Sequence, residues 1–228
     1  MKLFQKDSPW IRLIDNFGNL TLLNLLYLLY CLPVVTIGPA TTALYSCTLS
    51  MARREKLELS RFRRVFRQEF TVSLKAWLIL LFVSALLAAD YFFLDRRPEL
   101  PRAASYFLYL LCFFTASVML YVFPLIARFT NSLGQYFRLS LALALKNLPQ
   151  TVLMLAGSSI PFILLLLNPE LTLRLIIFWI LFAVALTAFL FSSFLCKVFA
   201  ELEKKAEEAA EREPEEKAEE KAEEEQEE

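Results

Sequence analysis

The 228-residue chain has no histidine. That removes the commonest general base and the commonest imidazole metal ligand. Its four cysteines, Cys31, Cys47, Cys112 and Cys196, stand apart in apolar stretches and form no C-x-x-C pair. They indicate neither a zinc site nor a dithiol redox centre, and they read as small packing hydrophobes. With only four glycines, the chain has no Walker loop, no nucleophile elbow and no glycine-rich phosphate cradle. The sequence therefore implies no cofactor, no metal and no enzyme chemistry.

Charge is the next scarcity. Residues 16–52 run for 37 positions without a charged side chain. Three further uncharged runs cover 103–127, 147–169 and 175–196, and a fourth, 76–94, carries only Asp90. A span needs about 20 apolar residues. The chain is therefore expected to be an all-α, polytopic helical membrane bundle. Asp90 lies near one end of its run, within reach of Arg96 or Arg97, which favours a surface role over a buried proton site.

Residues 16–52 would make a helix of about 55 Å, too long for one crossing. Pro33 and Gly38-Pro39 divide the stretch. Backbone groups freed at such a break survive in hydrocarbon only if protein or water satisfies them, and broken helices at membrane depth point to sites. Asn24, Pro33, Thr36, Gly38, Pro39, Thr41, Thr42 and Tyr45 are the candidate binding residues. Their hydroxyls, amides and carbonyls suit a small neutral polyol or an ion. The same residue types also serve as helix-packing glue.

Five regions follow: an N-terminus at 1–7, a Pro/Gly-broken helical hairpin at 8–52, repeats at 53–129 and 130–199, and an acidic tail at 200–228. The first helix should start at Ser8-Pro9, and with no small-x-small site after it, it reads as a retained anchor. The repeats rest on pairs 71 positions apart: Phe66-Arg67 with Phe137-Arg138, Leu74-Lys75 with Leu145-Lys146, and Pro98-Glu99-Leu100 with Pro169-Glu170-Leu171. Each repeat holds a basic amphipathic helix and two of the four long transmembrane helices. With an even number of crossings each, the copies would run parallel.

In 60–71, Phe62, Val65, Phe66 and Phe70 share a helical face. Such a helix lies in the interface with its rings in acyl chains and its guanidinium groups at phosphates. Arg61, Arg63, Arg64, Arg67, Arg138 and Lys146 are accordingly candidates for anionic lipid or a partner protein. Nucleic acid is not expected, because the basic run adjoins spans and no recognition module is present. Treating 8–52 as a hairpin puts 15 Lys and Arg on one side and 4 on the other. That asymmetry predicts both termini in the cytoplasm; a single crossing by 8–52 would instead put the N-terminus outside. The tail is Ala/Glu/Lys-rich without an apolar stripe, so it is a solvated helix or disordered.

The stretch from Leu25 to Tyr45, centred on Leu32-Pro33-Val34-Val35-Thr36-Ile37-Gly38-Pro39, resembles the signature of the YesL-like family. These are small bacterial integral membrane proteins catalogued as a domain of unknown function. Phe62–Phe70, Phe123–Phe129 with Asn131-Ser132, and Leu145–Pro149 extend the likeness over about residues 10–200. The resemblance implies a bacterial plasma membrane protein with an accessory role in carbohydrate uptake or sensing. Its expected partners are the bilayer, a transporter permease or sensor kinase, and a second copy of itself. The alternative is a small-solute transporter or channel gated at Pro33–Pro39.

Overall fold

A computed structural model describes residues 9–55, 57–96 and 102–204. The acidic tail beyond Lys204, residues 1–8, Arg97 and the Pro98-Glu99-Leu100 loop lie outside it. Among the described residues there is no strand, and the elements follow in chain order. They are α1 (Pro9–Tyr30), a 3-10 turn (Val34–Thr36), α2 (Ile37–Ala52), α3 (Leu59–Gln68), α4 (Phe70–Asp95), α5 (Arg102–Arg128), α6 (Leu133–Lys146), α7 (Leu148–Leu167) and α8 (Pro169–Arg174). A last helix, α9, occupies 176–204 and contains a π-helical turn at Trp179–Ala183.

Three helices are long and apolar enough to cross a membrane: Phe70–Leu94, Ala103–Arg128 and Ile180–Lys204. Leu133–Lys146 and Leu148–Ile160 pass the same test together, but they meet at 101°, as a broken span or a re-entrant loop. The protein is a helical membrane protein.

The bend at residue 147 has a local cause. Pro149 supplies no N–H in the first turn of α7. The Asn147 amide donates to the Leu143 carbonyl at 3.1 Å, and the Thr151 hydroxyl covers the Asn147 carbonyl at 2.9 Å. At the start of α6, Ser132 and Gln135 close a capping box. Tyr136, Ser140, Leu143 and Ala144 then form the buried face of α6, which packs on α5.

The core is built around α2, not around the long helices. Every residue of α2 from Gly38 to Met51 except Thr41 is buried. Around it lie the α1 end, α3, the first turns of α4 and Tyr121–Ile126 of α5. A side chain at Gly38 would meet Trp77 Cβ at 2.5 Å and the Ser73 carbonyl at 2.8 Å. This glycine therefore sets the approach of α2 to α4.

The Pro33 break sits beside those first turns of α4. Trp77 Nε1 donates to the Val34 carbonyl at 3.0 Å. Tyr30 packs edge-on against Phe62 and Phe66, at centroid distances of 5.3 and 4.7 Å. A hairpin crossing twice would put the break near the other end of α4, about 30 Å away at 1.5 Å per residue. The break instead lies at the α3 end of the bundle.

One further expectation changes for the same packing reason. The apolar face of α3 does not enter acyl chains: Phe62 is fully buried, and both phenylalanines cover Tyr30 of α1. Asp90 is exposed in a shallow cleft with Phe107 and Leu111. Its carboxylate makes no ion pair among the described residues.

Candidate functional site

Most of the polar residues singled out in 24–45 are spent on joining helices. Thr36 Oγ1 donates to the Tyr30 carbonyl at 2.6 Å and reaches the Pro33 carbonyl at 2.8 Å. With the Trp77 bond, it satisfies the carbonyls that the proline break leaves without helical donors. Pro39 is buried in the first turn of α2, where its missing N–H costs no helical bond. Thr42 shares a buried hydrogen bond of 2.8 Å with Ser73 of α4. Thr48, a turn and a half further on, shares one of 2.7 Å with Ser192 of α9.

Asn24 has the most specific task. Its Nδ2 donates to the Ile180 carbonyl at 2.6 Å, and its Oδ1 accepts from the Ala185 N–H at 2.8 Å. Those two backbone groups lie five residues apart, the separation a π-helical rung would close. The carboxamide spans that rung, so one fully buried side chain satisfies the extra-wide turn of α9. Sequence reading selected Asn24 without its partner, because nothing in 179–183 announces a π turn.

A cavity of about 500 Å³ opens beside this turn, between α1, α2, α7 and α9. Tyr27, Thr41 and Tyr45 line one side, and Gly157, Thr187 and Phe191 line the other. Tyr27 and Thr41 hydroxyls stand 3.4 Å apart. Of the eight residues expected in 24–45, only Thr41 and Tyr45 reach this cavity. Tyr27, Ser158 and Thr187 were missed. They lie on three separate helices of an apolar background, so spacing along the chain cannot group them.

The basic surface is divided. Arg61 turns inward: its Nε donates to Ser46 Oγ at 3.1 Å and its Nη1 pairs with Glu55 at 3.2 Å. Arg63, Arg64 and Arg67 are exposed and line a groove of about 420 Å³ with Ser60 and Gln68. Arg138 is exposed on α6, apart from that groove. Lys146 pairs with Glu201 at 3.1 Å, and Arg128 with Glu203 at 2.8 Å. These two pairs fasten the end of α9 to the α5 and α6 ends. Exposed pairs of this kind contribute at most about 1 kcal/mol. Glu69, between α3 and α4, has its carboxyl pushed up by burial.

Among the described residues no group of three or more His, Cys, Asp or Glu side chains is placed to hold a metal ion. Cys47 is buried and Cys112 exposed, and all four cysteines are free. The sequence model of a family described as "Protein of unknown function, DUF624" matches residues 20–91. That segment holds the α1 end, the break, α2, α3 and most of α4. No curated protein and no solved structure matches the chain.

Proposed function

We propose that this protein is a non-enzymatic membrane accessory protein that docks partner proteins through its α3 face, in carbohydrate uptake or sensing. The observation that carries the docking reading is the division of labour on α3. Phe62 and Arg61 anchor the helix rigidly to α1, α2 and the 53–55 turn, which leaves Arg63, Arg64 and Arg67 exposed on one face, with no ion pair among the described residues. A preorganised row of guanidinium groups suits acidic side chains, which it binds bidentately. The link to carbohydrate systems rests on the YesL-like resemblance of Leu25–Tyr45, with which the family match over 20–91 is compatible.

The location is the bacterial plasma membrane, with the Arg53–Arg67 segment on the cytoplasmic side by the excess of Lys and Arg there. The position of the break beside α4 supports a single crossing by α1, with its start on the face opposite α3. The order short helix, long helix, long helix in α3–α4–α5 and again in α6–α7–α9 supports two parallel copies. The alternative, a solute gate at Pro33–Pro39, needs Thr36 and Gly38 to exchange partners. Their hydrogen bonds and close packing argue against it.

Mild-detergent purification from native membranes tests the docking reading. A permease or sensor kinase should co-purify with the protein and be lost with Arg63→Glu/Arg64→Glu/Arg67→Glu. Recovery of the same partner with the triple variant overturns the α3 assignment, and recovery of no partner overturns the accessory role. Cysteine labelling of intact cells checks the topology: Val34→Cys and Arg64→Cys should respond from the same side.

A further inference from the structure

The cavity beside the π turn is lined by a buried tyrosine whose hydroxyl has no bond among the described residues. Tyr45 is 93 % buried, with 7 % of its surface exposed. Its hydroxyl has no hydrogen-bond partner among the described residues. Burying a hydroxyl unpaired is costly, and such groups in a native fold call for an explanation. The other hydroxyls around it are already committed. Thr41 donates to the Ile37 carbonyl, Ser158 to Leu155 and Thr187 to Ala183. Tyr27 has the Thr41 hydroxyl at 3.4 Å, so among the described lining residues Tyr45 alone carries a hydroxyl with no hydrogen bond in the fold, in walls that are largely apolar, with Leu44, Leu120 and Phe191 among them.

That inventory selects a ligand class. A polyol or sugar brings many hydroxyls, each needing a partner, whereas most of the described wall is apolar and Tyr45 is its one hydroxyl with no bond in the fold. A charged solute finds no counter-charge among the lining residues. An apolar body with a single carbonyl oxygen fits both the walls and the donor. The volume lies within the ordinary range for ligand pockets. The rim is framed by Ile160, Phe178 and Val184, all exposed apolar residues on α7 and α9, so the entrance is compatible with hydrocarbon and not with water. The π turn that Asn24 holds open re-aims residues 183–187 to make the far wall, and π bulges recur at functional sites.

We propose that this cavity binds an acyl chain of a membrane glycerolipid, whose ester carbonyl accepts a hydrogen bond from Tyr45. The site is separate from the α3 groove, so a retained lipid and a docked partner are independent findings.

The test uses the full chain in nanodiscs containing a glycerolipid with a photoactivatable diazirine on its acyl chain. Cross-links should concentrate on 157–160 and 183–191 relative to the exposed face of α4 at 81–93. Gly157→Leu, which fills the space in front of Phe191, should lower them by at least about tenfold. Tyr45→Phe should lower them by about fivefold, as expected for one lost hydrogen bond. An ether-linked probe without the carbonyl should label the wild type and Tyr45→Phe equally. Even labelling of all lipid-facing helices, or labelling unchanged by Gly157→Leu, overturns the site. Equal labelling of the wild type by ester and ether probes overturns the carbonyl contact. In lipid-free detergent, Tyr45→Phe should melt at or above the wild-type temperature, because no bond within the protein is lost. A lower melting temperature would mean that the hydroxyl serves the fold, which also overturns the proposal.

Discussion

The two ends of the bundle are built on different physics. At the α3 end, α2 is enclosed by α1, α3, α4, α5 and α9, and hydroxyls and amides reach between helices. At the other end, α4 beyond Leu80 and the first half of α5 carry a run of exposed large residues, among them Phe82, Phe92, Tyr106 and Phe107. Lipid tails are as apolar as leucine, so burying those side chains against protein would gain little. Buried polar groups gain from finding partners, because water is not there to replace them. The lesson is that hydropathy marks where the chain meets lipid, while polar pairing marks where helices meet one another. The family match over 20–91 centres on the second kind of region.

Substitutions can break or sharpen this contrast, and melting temperature in detergent is the common measurement. The largest effect is expected for Gly38→Ala. Its new methyl would overlap Trp77 Cβ and a backbone oxygen of α4, which should cost about 3 kcal/mol. Phe82→Ala, at the lipid-facing end, should cost under about 0.5 kcal/mol. Equal losses from the two variants would erase the distinction between the ends.

Asn24→Ala comes next. It leaves the Ile180 carbonyl and the Ala185 N–H without their partner, for an expected loss of about 2 kcal/mol. Amide hydrogen exchange should rise at Ala185 first. Protection unchanged there would show that α9 closes its own rung.

Arg54→Gly should act in the opposite direction. Arg54 ends α2 at φ 63°, in the left-handed region. The Glu55 N–H returns to the Ser50 carbonyl at 3.0 Å and the Arg54 N–H to Met51 at 3.0 Å, the two bonds of a Schellman cap. Glycine adopts that conformation without a Cβ penalty, so stability should rise by about 1 kcal/mol. A fall would assign the Arg54 side chain a role outweighing its backbone strain.

Glu69→Gln is the smallest change and depends on pH. Burial raises the folded-state pKa of Glu69 above its ordinary value. The folded protein therefore holds that proton more tightly than the unfolded chain, and stability falls as pH rises through the two values. Glutamine should raise the melting temperature slightly at pH 7 and leave it unchanged at pH 4. A gain of the same size at both values would show that ionisation is not the cause.

Much of this architecture was readable from the residues. The break at Pro33, the apolar stretches of α4 and α5 and the amphipathic character of α3 all follow from periodicity and proline chemistry. The polar residues of 24–45 were also legible as a group, as was their double reading as site or glue. Which reading applies to each was not legible. Thr36, Thr42 and Thr48 carry the same side chain, yet one seals the break and the other two bind different helices. The burial of Phe62 was hidden for a related reason, since an amphipathic helix has the same pattern whether its apolar face meets lipid or Tyr30.

The sequence by itself determined a histidine-free helical protein with long apolar segments, interrupted where proline withholds an N–H. Those properties are local, set by each residue's own backbone and its preference for hydrocarbon. Only the tertiary structure decided that Pro33–Thr36 lies against α4, that Asn24 bridges a π turn 156 residues away, and that Tyr45 lines a cavity with residues of α1, α7 and α9. Partners far apart in sequence leave no mark on local pattern, because a hydrogen bond across helices depends on how rigid rods cross.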